Sequence, residues 1–563
     1  MFSANFTAVG GNLALSAIVA LIPILYFFWA LAIKRMKGHV AGLSTLLLAL
    51  VIAIIAYKVP AGIAFMSATQ GAVYGILPIG WIIIASVFLY KLTVKTGQFD
   101  IIRHSVLTIT EDRRLQALLV AFSFGAFLEG AAGFGAPVAI SAALLVGLGF
   151  NPLYAAGLSL IANTAPVAFG AIGTPVIAME GPTGIAATEI SKVIGRQLPF
   201  LSVFIPFYLV FIMAGFKKTM EVLPAIIVSG VSFAITQFLS SNFLGPELPD
   251  ILSSLVSLFA LAIFLKFWKP KTVFRFKSEQ EIAATAAAES SSNQRETYTG
   301  GQVFKAWSPF LILTGLISFW GIPTIKLALT GHYEGANIVL KAVNAIGNAL
   351  TFVPAVPFLN NKVANGAGQP VPAVYKLELL AAAGTAILIS ALITKYIVSI
   401  SWKNWIATFG ETLDELKYPV ITIASVVGFA YVTNVSGMST TLGMALAKTG
   451  SVLFPFFSPF LGWLGVFITG SDTSSNVLFG NLQKVTATSI GMDPVLALAA
   501  NSSGGVTGKM ISPQSIAVAA AAVGLVGREF ELLRFTVKHS IFLVFLVGIL
   551  VFLQNNILAF MLP

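Results

Sequence analysis

From Leu13 almost to Leu562 the chain is a succession of apolar runs, each about 20 residues long and parted by short polar bursts. A helix of that length spans about 30 Å, the thickness of a bilayer's hydrocarbon core. Of 563 residues 57% are apolar and only 10% are charged, giving a mean hydropathy of +0.90. A water-soluble domain carries about a quarter charged residues, so this chain has too little polar surface to face water. The pattern dictates an all-α polytopic membrane protein.

Charge and cysteine content then remove whole function classes. The net charge is +11, but Lys and Arg fall in bursts between apolar runs. That is the pattern of loops that fix a topology rather than of a nucleic-acid surface, and no basic stretch is interleaved with stacking aromatics. The absence of cysteine excludes disulfides, thiolate metal sites, iron–sulfur clusters and a Cys nucleophile. GGVTGKM imitates a phosphate-binding loop, yet Ser503 stands where its first glycine belongs and Met510 where its Mg²⁺-binding hydroxyl belongs. His39, His104, His332 and His539 form no metal-binding spacing. No metal, cofactor or enzymatic constellation is expected.

The basic bursts order the spans. Lys34, Arg35, Lys37 and His39 follow the first run, which places that loop in the cytoplasm and the N-terminus outside. MFSANFTAVGGN has no basic region and no small-residue cleavage site after it, so the run 13–33 is expected to be retained as a span. Lys91, Lys95, Arg103, Arg113 and Arg114, then Lys217 and Lys218, then Lys266, Lys269, Lys271, Arg275 and Lys277 mark further cytoplasmic loops. The turn 242–250, with Glu247 and Asp250 and no base, suits the outer face, and Arg196 is expected as a cytoplasmic anchor. The polar stretch 278–301 cannot bury a core and reads as a cytoplasmic linker. The chain therefore divides into a membrane half 1–267, a connector 268–304 and a second half 305–563. Within the second, 323–375 mixes Gly, Pro and Asn as partial or re-entrant segments do.

The halves resemble each other. NTAPVAFGAIGTP holds Asn163, Gly170, Thr174 and Pro175, and NSSGGVTGKMISP holds Asn501, Gly508, Ser512 and Pro513 at the same offsets. An acid precedes each, Glu129 in the first half and Asp472 in the second. The loop before Glu129 is basic, whereas 432–450 carries only Lys448, so the repeats are expected to be inverted.

Chemistry is expected at the breaks. FGAFLEGAAGFGAPVAI sets Glu129 among Gly125, Gly130, Gly133, Gly135 and Pro137, a density that disfavours a continuous helix. The bland reading of those glycines is a close helix-packing face. Glu129 is different, because an acid at membrane depth costs about 2.5–3.5 kcal/mol or more and is functional by default. ITGSDTSSNVLFGN surrounds Asp472 with Thr473, Ser474, Ser475 and Asn476. Asn163 and Thr164 in one half, and Asn501, Ser502 and Ser503 in the other, would present helix ends, hydroxyls and amides to an anion near the midplane. Lys509 follows as a cation for a ligand carboxylate or Asp472, unless it merely snorkels from a helix end. Glu180 reads as surface, and Tyr431 as either a ligand donor or an interfacial residue.

LEGAAGFGAPVAI, with GSDTSSNVLFGNLQ and NSSGGVTGKMISPQSI, closely resembles the signature of the bacterial lactate permease family, over essentially the whole chain. The resemblance implies uptake of L-lactate, and often D-lactate and glycolate, by proton symport across the plasma membrane. It also implies about 12–14 helical segments with broken or re-entrant helices. A proton carried with lactate makes the load neutral and avoids moving a lone anion against the membrane potential. Glu129 and Asp472 are then the expected proton carriers. Asn163, Thr164, Asn476, Asn501, Ser502, Ser503 and Lys509 are expected to hold the substrate. A sodium-coupled carboxylate transporter is the alternative, since Asp472 and its hydroxyls would also suit Na⁺.

Overall fold

A computed structural model describes residues 1–133, 135–276, 298–364, 369–448 and 450–563. Among them, eleven helices are long and apolar enough to cross a bilayer, and the bent pair Pro152–Ala162 and Val167–Thr183 makes a twelfth. The chain is thus a multi-pass helical membrane protein at the lower end of the expected count. Most of the expected linker lies in 277–297, outside the described residues. The next helix starts at Gly300, where Thr299 and Gln302 cap each other reciprocally.

The ends of the spans define two faces. Lys34, Lys91, Lys95, Lys217, Lys218 and Lys266 lie at one, the basic face, where Lys91 pairs with Glu415 and Lys95 reaches Glu411 at 2.8 Å. The opposite face carries the segment 323–375. It holds two short helices, Pro323–Leu329 and Ile338–Ala349, and two minimal strands, Thr351–Phe352 antiparallel to Leu377–Glu378 and Val363–Ala364 parallel to Phe2–Ser3. Ile338, Val339 and Ile346 stay exposed on the second helix, as on a helix lying along a bilayer surface.

Two hairpins penetrate from opposite faces. The first is Arg113–Ala131 followed by Ala136–Gly147. Its beginning and end both lie at the basic face: Arg114 sits 5.5 Å over the Phe274 ring, Phe274 packs on Phe276, and Phe150 meets Phe276 edge-on at 5.0 Å. Reversal inside the membrane needs backbone that only glycine adopts readily, and Gly133 and Gly135 supply it with φ of 62° and 87°. The second hairpin is Gly450–Thr469 and Asp472–Ile490, reversed at Gly470 (φ 70°). Its open end lies at the opposite face, beside the segment in which Thr441 donates to the Phe6 carbonyl at 3.0 Å.

Each hairpin is followed by an interrupted span. Pro152–Ala162 and Val167–Thr183 meet at 64°. Pro494–Lys509 gives way to Pro513–Ala522 across residues 510–512, where Ser512 caps the second piece. The same order of elements entered from opposite faces is an inverted repeat, as the charge pattern implied.

Two expectations need correction. Residues 501–505 do not break a helix, because Pro494–Lys509 is continuous through them. Their glycines serve packing: a Cβ on Gly504 would overlap the Pro459 carbonyl and one on Gly508 the Trp463 carbonyl, while one on Gly462 opposite would overlap the Asn501 carbonyl. The helices Gly450–Thr469 and Pro494–Lys509 touch backbone to backbone, the geometry small residues permit in membranes. Arg196 is no anchor on the basic face either. Its guanidinium donates to Asn242 Oδ1 at 2.9 Å and the Met561 carbonyl at 2.8 Å on the opposite face. It begins the span Leu198–Met220, whose other end already holds Lys217 and Lys218.

Arg114 fixes the foot of the first hairpin. It is 0% exposed and reaches Asp112 (2.7 Å), Glu221 (2.8 Å) and the carbonyls of Lys218 and Thr272 (both 2.8 Å). Lys218 and then Arg114 hold the Glu221 carboxyl down to about 2, so this clamp stays charged at physiological pH and loosens only as pH falls toward that value. Replacing Arg114 by Leu strands Asp112 in a buried site and is expected to cost about 3–5 kcal/mol. A large fall in melting temperature of the purified protein in detergent is the readout, and a native melting curve would contradict it.

Candidate functional site

A cavity of about 520 Å³ lies where the two hairpin tips meet the interrupted spans. Gly133, Gly135, Gly170 and Ala171 wall it from the first repeat, and Ser471, Asp472, Thr473, Ser474, Gln514 and Ser515 from the second. It opens between Met36 and Gly38 on one side and Glu415 and Pro419 on the other, toward the basic face. Toward the opposite face the bend's far end is held shut. Asn434 Nδ2 donates to the Pro182 carbonyl at 2.8 Å and Lys484 Nζ to the Thr183 carbonyl at 2.6 Å. Tyr74 and Tyr431 press on Gly181 so closely that a Cβ there would lie 2.6 and 2.8 Å from them. Tyr431 therefore belongs to this closure rather than to the cavity wall, and Glu180 is exposed beside it.

Glu129 occupies the last turn before the first reversal and is only 2% exposed. Its Oε2 accepts from Asn163 Nδ2 at 2.9 Å, at the bend of the interrupted span. Its Oε1 accepts from Lys509 Nζ at 2.6 Å. Gly170 makes room for this, since a Cβ there would come within 2.7 Å of Oε1. Lys509, 8% exposed, ends the helix Pro494–Lys509. A lysine of one repeat thus neutralises the acid of the other at the centre of the molecule. The snorkelling reading of Lys509 falls.

Asp472 opens the helix Asp472–Ile490, so its carboxylate sits at the positive end of the helix dipole. Its Oδ2 accepts from Ser502 Oγ at 2.6 Å and Asn476 Nδ2 at 3.1 Å, while Oδ1 has no partner. Asn476 Nδ2 also meets the Pro175 carbonyl at 3.1 Å, which ties the second hairpin to the first repeat. Behind it, Asn501 Nδ2 donates to Asn476 Oδ1 at 2.9 Å, and Gln483 Nε2 donates to Asn501 Oδ1 at 3.2 Å. Closed amide chains of this kind hold their members in one arrangement.

Of the nine site residues expected from sequence, Glu129, Asp472 and Lys509 wall the cavity. Asn163, Asn476, Asn501 and Ser502 stand one layer back, bonded to those acids or to one another. Thr164 and Ser503 are buried off the wall with unpartnered hydroxyls. Sequence reasoning missed Gln514 and Ser515, although the cap signature Ser-Pro before them marks a helix start aimed at the site. It also read Asp250 as part of an outer turn, whereas that residue is fully buried against Gly130.

A family model described as L-lactate permease matches residues 16–558. The chain belongs to the L-lactate permease family. It is 72% identical over 558 residues to the L-lactate permease of Bacillus subtilis (strain 168), covering 99% of each chain. It is 56% identical over 560 residues to the glycolate permease GlcA of Escherichia coli (strain K12), covering 98% of each. The L-lactate permease of Halalkalibacterium halodurans is 39% identical over 96% of each chain. This permease is accordingly a membrane transporter and not an enzyme. Among solved structures, a likeness to the Alcanivorax borkumensis YdaH transporter covers 80% of this chain and 87% of that one. It has 12% identity and a TM-score of 0.30, too slight to argue from.

Proposed function

We propose that the permease takes up L-lactate, with D-lactate and glycolate as further substrates, together with a proton across the bacterial plasma membrane. The observation that carries this reading is the Glu129–Lys509 pair in the cavity wall. Relatives of known name that span the full length, a lactate permease and a glycolate permease, supply the substrate class. Lysine is the cation that a small 2-hydroxy carboxylate needs, and here an internal carboxylate holds it. Lactate's carboxylate takes Lys509, and Glu129, left buried without its counter-ion, takes up a proton. One lactate and one proton then cross as a neutral load. The lactate hydroxyl turns toward Asp472, whose free Oδ1 accepts from it, or toward Ser474. Asn163 steers Glu129, and Asn476, Asn501 and Ser502 steer Asp472. Thr164 and Ser503 shape the interior behind them. Asp472 is the second acid that can exchange a proton.

Positive loops stay inside, so the basic face is cytoplasmic, the N-terminus is outside, and the cavity faces inward. The decisive experiment is uptake of radiolabelled lactate into vesicles holding the purified permease under imposed pH, sodium or voltage gradients in turn. Accumulation driven by an inward proton gradient is expected. Accumulation that follows sodium and ignores pH would replace this reading with sodium coupling at Asp472.

A further inference from the structure

Asp250 has no part in the cavity, yet its surroundings are not those of a structural acid. It lies on the first turn of Pro249–Phe267 and is 0% exposed. The first turn of a helix offers unpaired backbone N–H groups to an acid, but both Asp250 oxygens lack any hydrogen-bond partner. An ionised carboxylate buried without a partner is far more costly than the neutral acid, so the geometry favours a group that carries its proton.

What Asp250 touches gives that proton a destination. Gly130, the residue after Glu129, packs directly on it, and a Cβ on Gly130 would lie 2.8 Å from Asp250 Cβ. The helix that carries Gly130 has Glu129 as its one titratable residue, and Lys509 pairs with it. The neighbouring helix Leu223–Phe243 and the hairpin segment Ala117–Phe124 contain no titratable residue. Gly170–Thr183 contributes only Glu180, at its far end. One turn before Asp250, Glu247 sits half-buried in the loop at the opposite face, and that loop presses on the interrupted span where a Cβ on Gly173 would overlap the Pro246 carbonyl. Glu247 and Asp250, three residues apart, thus lie between the opposite face and the helix that carries Glu129, on the side where the cavity itself is shut.

We propose that Asp250 is a proton relay, passing the coupled proton between the opposite face and Glu129 without touching substrate. In the forward step the Asp250 O–H bond breaks and an O–H bond forms on the Glu129 carboxylate that lactate has displaced from Lys509. Asp250, now ionised, recovers a proton from the opposite face. The inference rests on the proton-coupled reading above, and its test separates the two.

D250N and D250E, reconstituted in vesicles beside the native permease, are assayed for lactate counterflow at equal pH and for accumulation under an inward proton gradient. D250N, a permanent mimic of the protonated acid, is expected to keep counterflow within about threefold of native and to lose accumulation. D250E, still titratable, is expected to recover part of it. Native-like accumulation by D250N overturns the relay. Joint loss of counterflow and accumulation in D250N makes Asp250 structural and overturns it equally. If the native permease itself ignores the proton gradient, proton coupling fails first, whatever Asp250 does.

Discussion

Replacing Lys509 by Met is expected to abolish lactate binding and transport while leaving a folded protein in the membrane. Lys509 is the one cation on the cavity wall among the described residues, so it is the natural counter-ion for a carboxylate that has left water. Truncating one member of a buried, hydrogen-bonded charge pair costs about 2–5 kcal/mol, or roughly 30- to 4,000-fold in affinity at 1.4 kcal/mol per decade. The stranded Glu129 escapes its own desolvation by taking a proton, and for that reason K509M should still fold. The double variant K509M/E129Q removes both charges, so it should regain stability but not binding. Lactate titration calorimetry and lactate-dependent thermal stabilisation report the two effects separately. A K509M protein that binds lactate within a few-fold of native would remove Lys509 from the substrate site.

The legible part of this site and the illegible part differ in a physical way. Glu129 and Asp472 stood out because an acid in an apolar run has no cheap structural explanation, and the two repeats could be matched by offset alone. The partner of each acid could not. Lys509 is 380 residues from Glu129, and which residue meets it depends on how two inverted repeats interleave, a matter of packing rather than of local pattern. The glycines of 504–508 misled for the same reason. Glycine density is equally consistent with a broken helix and with two helices in backbone contact, and only the carbonyls of Pro459 and Trp463 opposite them decide. Asp250 was hidden by its neighbours. A turn containing Pro246, Glu247 and Pro249 looks solvated, and its burial comes from Gly130, a residue remote in sequence. Arg196 was legible in principle, since one span cannot carry cytoplasmic anchors at both ends.

Replacing Glu129 by Gln is expected to separate lactate binding from proton coupling altogether. On the proposed reading lactate and Glu129 compete for Lys509, so lactate should bind with uptake of one proton. The sign follows from linkage: affinity is greatest at low pH and weakens as pH rises, by about tenfold per unit while a full proton is taken up. The glutamine side chain fills the same space beside Gly170 and can still bond to Asn163, but it neither competes for the lysine nor accepts a proton. E129Q should therefore bind lactate with a flat pH profile, more tightly than native at alkaline pH, and should exchange lactate across vesicles without accumulating it. The pH profile also tells Glu129 from Asp250, because D250N retains the Glu129–Lys509 competition and should keep the native slope while losing accumulation. Uphill, pH-driven lactate uptake by E129Q at native rates would show that the proton travels on another group, with Asp472 the next to test.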